Sequence, residues 1–398
     1  MNCKITNSKI TQFMTFGKMP IANGFLKKKD FKNEFFYEMK VGFCKKISLF
    51  QLMNHPKPKQ MFNKNYPFFT GSSKGMVAHF QNYAQWIKKK FGKKLKNLIE
   101  IGSNDGTFLL NFKSSSVNLL GIEPSSNVAK ISKKRGIKTI NNFFNLKNVK
   151  KLNKLRNNVD VICAANVICH IPDLVSLIKG VNFLLAKKGV FIFEEPYLGS
   201  MYEKTSYDQI YDEHIYIFSV HSIKKIFDKF GFDLINAIPQ KTHGGSMRYV
   251  IGRKNENKIS SQVYKFLKKE KIKNIDNIKG CIKFKKNCEI SKKKLIKKIN
   301  LIKSEGKDIA GYAATSKSTT VLNYCKIGAK HIDYICDTTK EKVDKYSPGM
   351  HIPIKSMNFF YKNVPDVSYL FAWNHKKEIF KKEKKINKKM KWISHVRI

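Results

Sequence analysis

A chain of 398 residues exceeds what a single hydrophobic core usually supports, so two or three domains are expected. A formal net charge of +48 invites a nucleic-acid partner, yet the excess is nearly all Lys, spread over every segment, and reads as compositional bias with a pull on anionic small molecules. The 8 cysteines are scattered rather than densely and evenly spaced, and no apolar run is long enough to span a bilayer, so we expect a cytoplasmic enzyme with reduced thiols and neither nucleic acid nor membrane as partner.

The first sixty or so residues are irregular, with Pro20, Gly24, Pro56 and Pro58 punctuating short apolar stretches, and form a small N-terminal module over 1–62. Over 76–91 apolar residues recur at helical spacing and open a second region, 63–253, with strands predicted at 97–101, 119–123, 159–164 and 189–194. Strands alternating with helix-length segments argue for a doubly wound parallel sheet. A Lys-rich, helix-compatible connector follows over 254–303, its charges a solvated face. A second Rossmann-like α/β unit occupies 304–398, with strands at 309–314 and 332–336 and a helix from about Thr319.

The first strand ends in Glu100, Ile101 and Gly102, turns through Ser103, Asn104 and Asp105, and enters a helix near Thr107. A glycine here allows close approach of a ligand, and the helix start offers free amides. About twenty residues on, Glu123 closes the second strand, where nucleotide-binding sheets hold a ribose. Because the turn lacks the Gly-x-Gly-x-x-Gly pattern, S-adenosylmethionine is favoured over a dinucleotide.

Ordered blocks now resemble the nucleotide-sugar C-methyltransferase family over nearly the full length. They are PIANGFL (20–26), YPFFT (66–70), IGSNDG (101–106), GIEPS (121–125), NVICHIPD (166–173), YDQIYDEH (207–214), THGGSMR (242–248), YAATSK (312–317), NYC (323–325) and PGMHIP (348–353). The resemblance implies an α/β class I methyltransferase with a Rossmann-like parallel sheet, using S-adenosylmethionine to methylate a ring carbon of a keto-deoxysugar on a nucleoside diphosphate. It implies His214 as the base, with Glu213, Tyr211, His170 and Tyr66 around it. The cofactor would lie against Gly102, Asn104, Asp105, Glu123 and Asn166.

Deprotonation beside a ketone needs such a base, together with polar groups for the enolate oxygen. The turn at His243 and Gly244, with Arg248, offers amides and a guanidinium to a diphosphate, and Lys317 at a helix start is a further nucleotide contact. A sugar O-methyltransferase is the nearest alternative in the same class, and an RNA-binding or RNA-modifying basic protein the alternative from another. The family's two Cys-x-x-Cys zinc pairs are broken here: Cys3 is partnered by Thr6, and Cys44 by Ile47. Structural zinc is therefore doubtful and no metal ligand set is expected.

Overall fold

The computed structural model describes residues 1–57, 68–388 and 390–397, so Tyr66 lies outside the described residues. Three sheets organise the chain. The first is antiparallel, in the order β1 (Thr11–Pro20), β2 (Phe36–Cys44), β3 (Leu49–Leu52) and β9 (Tyr216–Ile217). Its fourth strand comes from the middle of the chain.

The central sheet contains β4 (Asn97–Ile101), β5 (Asn118–Ile122), β6 (Thr139–Ile140), β7 (Val159–Ala165), β8 (Leu185–Pro196), β10 (Phe232–Gln240) and β11 (Ser246–Arg253), in the order β10-β11-β8-β7-β4-β5-β6. Only β11 runs against its neighbours. Both faces are covered: Ile162, Ala164, Phe191 and Phe193 pack into one apolar cluster, while Val161, Cys163, Val190 and Ile192 pack into another beneath the helix Lys74–Phe91. Burial on both sides is why these strands read as nearly continuous apolar runs.

The third sheet is wholly parallel, β14 (Ile354–Ser356), β13 (Tyr334–Asp337), β12 (Ile309–Tyr312), β15 (Val367–Leu370) and β16 (Lys391–Ile393). The Lys-rich stretch forms two helices, Ser261–Ile272 and Ile278–Ser304. In the longer one Cys281, Phe284, Cys288, Leu295, Ile299 and Ile302 form a buried stripe at helical spacing. The stripe belongs to one cluster that also takes in Phe13, Val41 and Phe50 of the first sheet and Ile309, Ile335 and Tyr369 of the third. The N-terminal strands and the C-terminal unit thus share a core. No helix among the described residues is long and apolar enough to cross a membrane.

Strand alternation decides the place of Arg248, which had been expected to meet a diphosphate. On β11, Met247 and Tyr249 face one cluster and Val250 the other, on the side of the helix Lys74–Phe91. Arg248 shares the side of Val250. Its Nε lies 2.7 Å from Glu194 Oε1, its Nη2 2.6 Å from the same oxygen, and its guanidinium rests over the Tyr83 and Trp86 rings. His79 from that helix reaches the other oxygen of Glu194 at 2.5 Å. Arg248 therefore fastens the helix to the sheet and does not border the cavity described below.

The expected departure at the zinc pairs can be examined atom by atom. Cys3 and Cys44 are buried, and the Cys44 sulfur lies 3.3 Å from Ser8 Oγ and 3.6 Å from Thr6 Oγ1. Hydrogen bonds from Cys3 first, then from Ser8 and Thr6, draw the Cys44 thiol down to about 5. His55 turns Nδ1 to the Pro56 carbonyl at 2.8 Å and Nε2 to Lys4. Two thiols and hydroxyls do not fit a closed tetrahedral zinc site, which calls for four Cys or His donors.

Two outcomes follow. Elemental analysis of the purified protein should find far less than one zinc per chain, and chelator dialysis should leave the melting temperature unchanged; a retained equivalent of zinc would refute the misfit. Replacing Arg248 by Met leaves the buried Glu194 with His79 alone and should lower the unfolding free energy by about 3 kcal/mol in denaturant titration, whereas a loss below about 1 kcal/mol, the scale of an exposed pair, would show that the pair carries little.

Candidate active site

One cavity of about 1420 Å³ runs between the central and C-terminal sheets. At one end it meets the carboxyl edges of β4 and β5. Gly102 turns there at φ +68°, and a side chain would collide with Val167, so the turn after β4 closes directly on the turn after β7. Glu123 accepts from the Asn104 amide at 3.0 Å and from the Ser125 amide at 2.8 Å. Burial pushes its carboxyl above the ordinary range against these bonds. Asn166 also borders this end in the left-handed region, φ +56°, and its buried Oδ1 has no hydrogen-bond partner among the described residues. A carboxylate fixed by backbone amides and an unused amide oxygen fit a ligand bearing hydroxyl and ammonium donors, as S-adenosylmethionine does.

Asp105, expected at this end as well, does not border the cavity. It accepts from the Gly71 amide at 2.9 Å and from the Thr107 hydroxyl at 2.6 Å, and pairs with Arg135 at 3.3 Å. Its carboxylate is spent on holding Gly71 and the turn after β4 together.

The middle of the cavity is lined by His170, Tyr211, Glu213, His214 and His243. His214 Nδ1 lies 2.6 Å from the Gln209 carbonyl, which only accepts, so this nitrogen carries the proton and Nε2 presents a lone pair. The Tyr211 hydroxyl is 2.7 Å from Nε2. Burial first, and then the His170 ring stacked at 5.3 Å, holds His214 well below the usual imidazole range, so it is neutral near pH 7.

Glu213 accepts from the Asn23 side-chain amide at 2.7 Å, and burial raises its carboxyl to about 7. Beside it, burial and the Glu213 charge raise Asp212 to about 8. Buried carboxyls drawn toward neutrality beside an imidazole kept neutral mark a site able to move protons. Among the described residues, Cys169, His170 and His214 alone have ligand atoms close enough to hold an ion, within 4.8 Å of one another. His214 commits one nitrogen to the Gln209 carbonyl and the other to Tyr211, an arrangement for proton transfer.

The turn over 242–245 divides as well. His243 borders the cavity, and burial lowers it to about 3. Gly244 packs under the Trp373 ring, which leaves no room for a side chain, and does not border the cavity. It docks this turn on the C-terminal unit.

At the far end, Thr315 caps the helix Ser316–Cys325 and Lys317 stands in its first turn. The Lys317 ammonium is 3.0 Å from Asn374 Oδ1, and burial lowers it to about 8. Asp337 closes β13 and lines the cavity. It accepts from the Ala314 amide at 2.8 Å and from the Thr339 amide at 2.8 Å. This repeats the Glu123 arrangement: one amide comes from the turn after the neighbouring strand, the other from two residues downstream. Asp337 was missed although its signal was the one that located Glu123, an acid closing the second strand of an α/β unit. Asn23 was quoted in a motif and given no role.

Family models match three stretches of the chain: a C-methyltransferase C-terminal domain over residues 241–396, a methyltransferase domain over 77–237 and a zinc binding domain over 3–62. The C-methyltransferase NovU of Streptomyces niveus is 27% identical over 374 residues, covering 93% of this chain and 89% of that protein. A SAM dependent methyltransferase from Archaeoglobus fulgidus aligns at 15% identity over 41% of this chain and 72% of its own, with a TM-score of 0.35. Magnesium protoporphyrin IX methyltransferase from Synechocystis with bound SAM gives 13%, 45%, 80% and 0.34. The PH0226 protein of Pyrococcus horikoshii gives 14%, 50%, 100% and 0.38. With its doubly wound central sheet and these matched domains, the chain is an S-adenosylmethionine-dependent methyltransferase and belongs to the C-methyltransferase family.

Proposed function

We propose that the chain methylates a carbon beside the ketone of a keto-deoxysugar carried on a nucleoside diphosphate. The supporting observation is the cavity's two ends: crevices of like construction, one closed by Glu123 and the other by Asp337, with His214 between them. A nucleotide-bearing acceptor in the Asp337 crevice, its phosphates toward Lys317, would extend its sugar toward His214 and the cofactor end.

S-adenosylmethionine supplies an electrophilic methyl group when bound. The chain's own residues do the acid–base work. His214 Nε2 takes the proton from the carbon, leaving an enolate whose oxygen gathers charge. Glu213, with its carboxyl near 7 and thus part protonated at neutral pH, holds a proton for that oxygen. The enolate carbon then forms its bond to the methyl as the methyl–sulfur bond breaks. His170 and His243, neutral by burial, border the acceptor without adding positive charge that would disfavour protonation of His214.

The short Tyr211 contact favours a variant in which the tyrosine lies between base and carbon. Its oxygen would take the carbon's proton while its own proton passes to Nε2. Deuterium washout from the keto-sugar without methyl donor separates the two. His214→Asn should lose washout and methylation together, by about a hundred- to ten-thousandfold, the usual worth of a general base. With direct abstraction Tyr211→Phe keeps washout within about tenfold; with relay it falls as far as His214→Asn. Washout surviving in His214→Asn would remove both schemes.

Lys317 gives a pH signature. An ammonium with a value of about 8 is charged below that pH and loses its charge above it. The acceptor KM should therefore climb as pH rises through 8. Lys317→Met should raise KM about tenfold or more at pH 7, the scale of a charge-assisted hydrogen bond, and abolish the climb. A KM equally pH-dependent in the variant would place the titrating group elsewhere.

A further inference from the structure

Beyond β1 the chain passes between the segment 207–214 and the helix Ser316–Cys325 without joining a sheet. Ala22 and Asn23 tie this short passage to both neighbours. The Ala22 amide donates to Asp212 Oδ1 at 3.2 Å and its carbonyl accepts from the Thr319 hydroxyl at 2.8 Å. Asn23 does the same with its side chain: Nδ2 donates to Glu213 Oε1 at 2.7 Å, and Oδ1 accepts from the Ser316 hydroxyl at 3.0 Å. The carboxylate fixes which way the amide faces, because only the NH₂ end can donate. Asn23, Glu213 and Ser316 all line the cavity, and Ser316 opens the helix that carries Lys317.

We propose that Asn23 is a positioning residue for the methyl-transfer site, its amide holding the Glu213 carboxylate in place and tying it to the Ser316 hydroxyl at the acceptor end of the cavity. The role given to Glu213 rests on the function proposed above. The amide bridges two otherwise separate parts of the molecule, the acid beside the base and the first turn of the helix at the nucleotide end. Glu213 faces Asp212, with Tyr37 behind Asp212, and the Cys169, His170 and His214 groups across the site. Burial and Asp212 oppose its ionisation, and the Asn23 donor favours it. An anionic oxygen of the acceptor that drew the Ser316 hydroxyl away would loosen the amide and make Glu213 easier to protonate, as an enolate oxygen requires.

Glu213 can be titrated by ¹³C NMR of Glu-labelled protein, with the resonance assigned through Glu213→Gln and no acceptor present. In Asn23→Ala its midpoint should rise from about 7 by about one unit, the effect of losing a hydrogen bond to the charged form. Ser316→Ala should move it the same way by less. If turnover is then measured, Asn23→Ala should cost about tenfold or more in kcat and under about twofold in a Glu213→Gln background, since a residue acting through another has nothing left to act on. KM for S-adenosylmethionine should not change.

An unmoved midpoint, or an equal kcat loss in both backgrounds, overturns the proposal. Should Asn23→Ala fail to fold, Asn23→Ser and Ser316→Ala supply the same reading, and a midpoint unmoved in both overturns it. A wild-type protein that turns over no keto-sugar while the midpoint shifts would sink the substrate reading and leave the positioning role standing.

Discussion

Asp208 is fully buried, and a carboxylate there is tolerable only because donors meet both of its oxygens. Trp373 Nε1 lies 2.7 Å from one and His395 Nε2 3.0 Å from the other. Burial by itself would raise this group, but His395 together with Lys317 and Trp373 outweighs burial and holds it below the ordinary carboxylate range. Through Asp208 the C-terminal unit grips the segment that presents Gln209, Tyr211, Glu213 and His214. Downstream, Tyr216 and Ile217 add a strand to the N-terminal sheet. His214 is thus carried on a short bridge anchored at one end in the last unit and at the other in the first. Its protonation pattern depends on the backbone staying in place, since the Gln209 carbonyl selects which imidazole nitrogen is basic.

The central sheet was readable in the sequence, because strands buried on both faces leave unbroken apolar runs. The strand expected at 97–101 is found with those bounds. Edge positions and side-chain direction were harder. Arg248 and Asp105 are polar residues near a ligand crevice, and composition cannot tell a residue that faces the ligand from one that faces a neighbouring helix or loop. The answer lay in strand alternation for Arg248 and in the approach of Gly71, thirty-four positions away, for Asp105. Gly244 was singled out for the amide its turn offers a diphosphate; its actual constraint is the Trp373 ring, from a distant part of the chain. The twofold use of an acid at the close of a second strand was legible in principle, because the segment ending in Asp337 has the same outline as the one ending in Glu123.

The excess of lysine has a local expression. Lys4, Lys57, Lys147, Lys317, Lys340 and Lys342 all border the cavity, against Glu123, Asp173, Glu213, Asp337 and Glu341. The acids closing the two strands are both held by backbone amides. Several of these lysines sit toward the rim, where a positive field gathers anionic ligands and raises their encounter rate without fixing their orientation. Orientation is left to the buried polar groups farther in.

The span of the site's contacts governs when in the life of the molecule it can exist. Asn23 meets a partner 190 positions later and another 293 later, and Asp208 meets His395 across 187. While the chain is leaving the ribosome, the central sheet can form from a contiguous stretch, and the crevice at Glu123 with it. The bridge carrying His214 cannot be gripped until the final strand has emerged. Contacts closed over such separations form late in folding. A nascent chain would thus complete the Glu123 end of the cavity well before the segment carrying His214 is held in place.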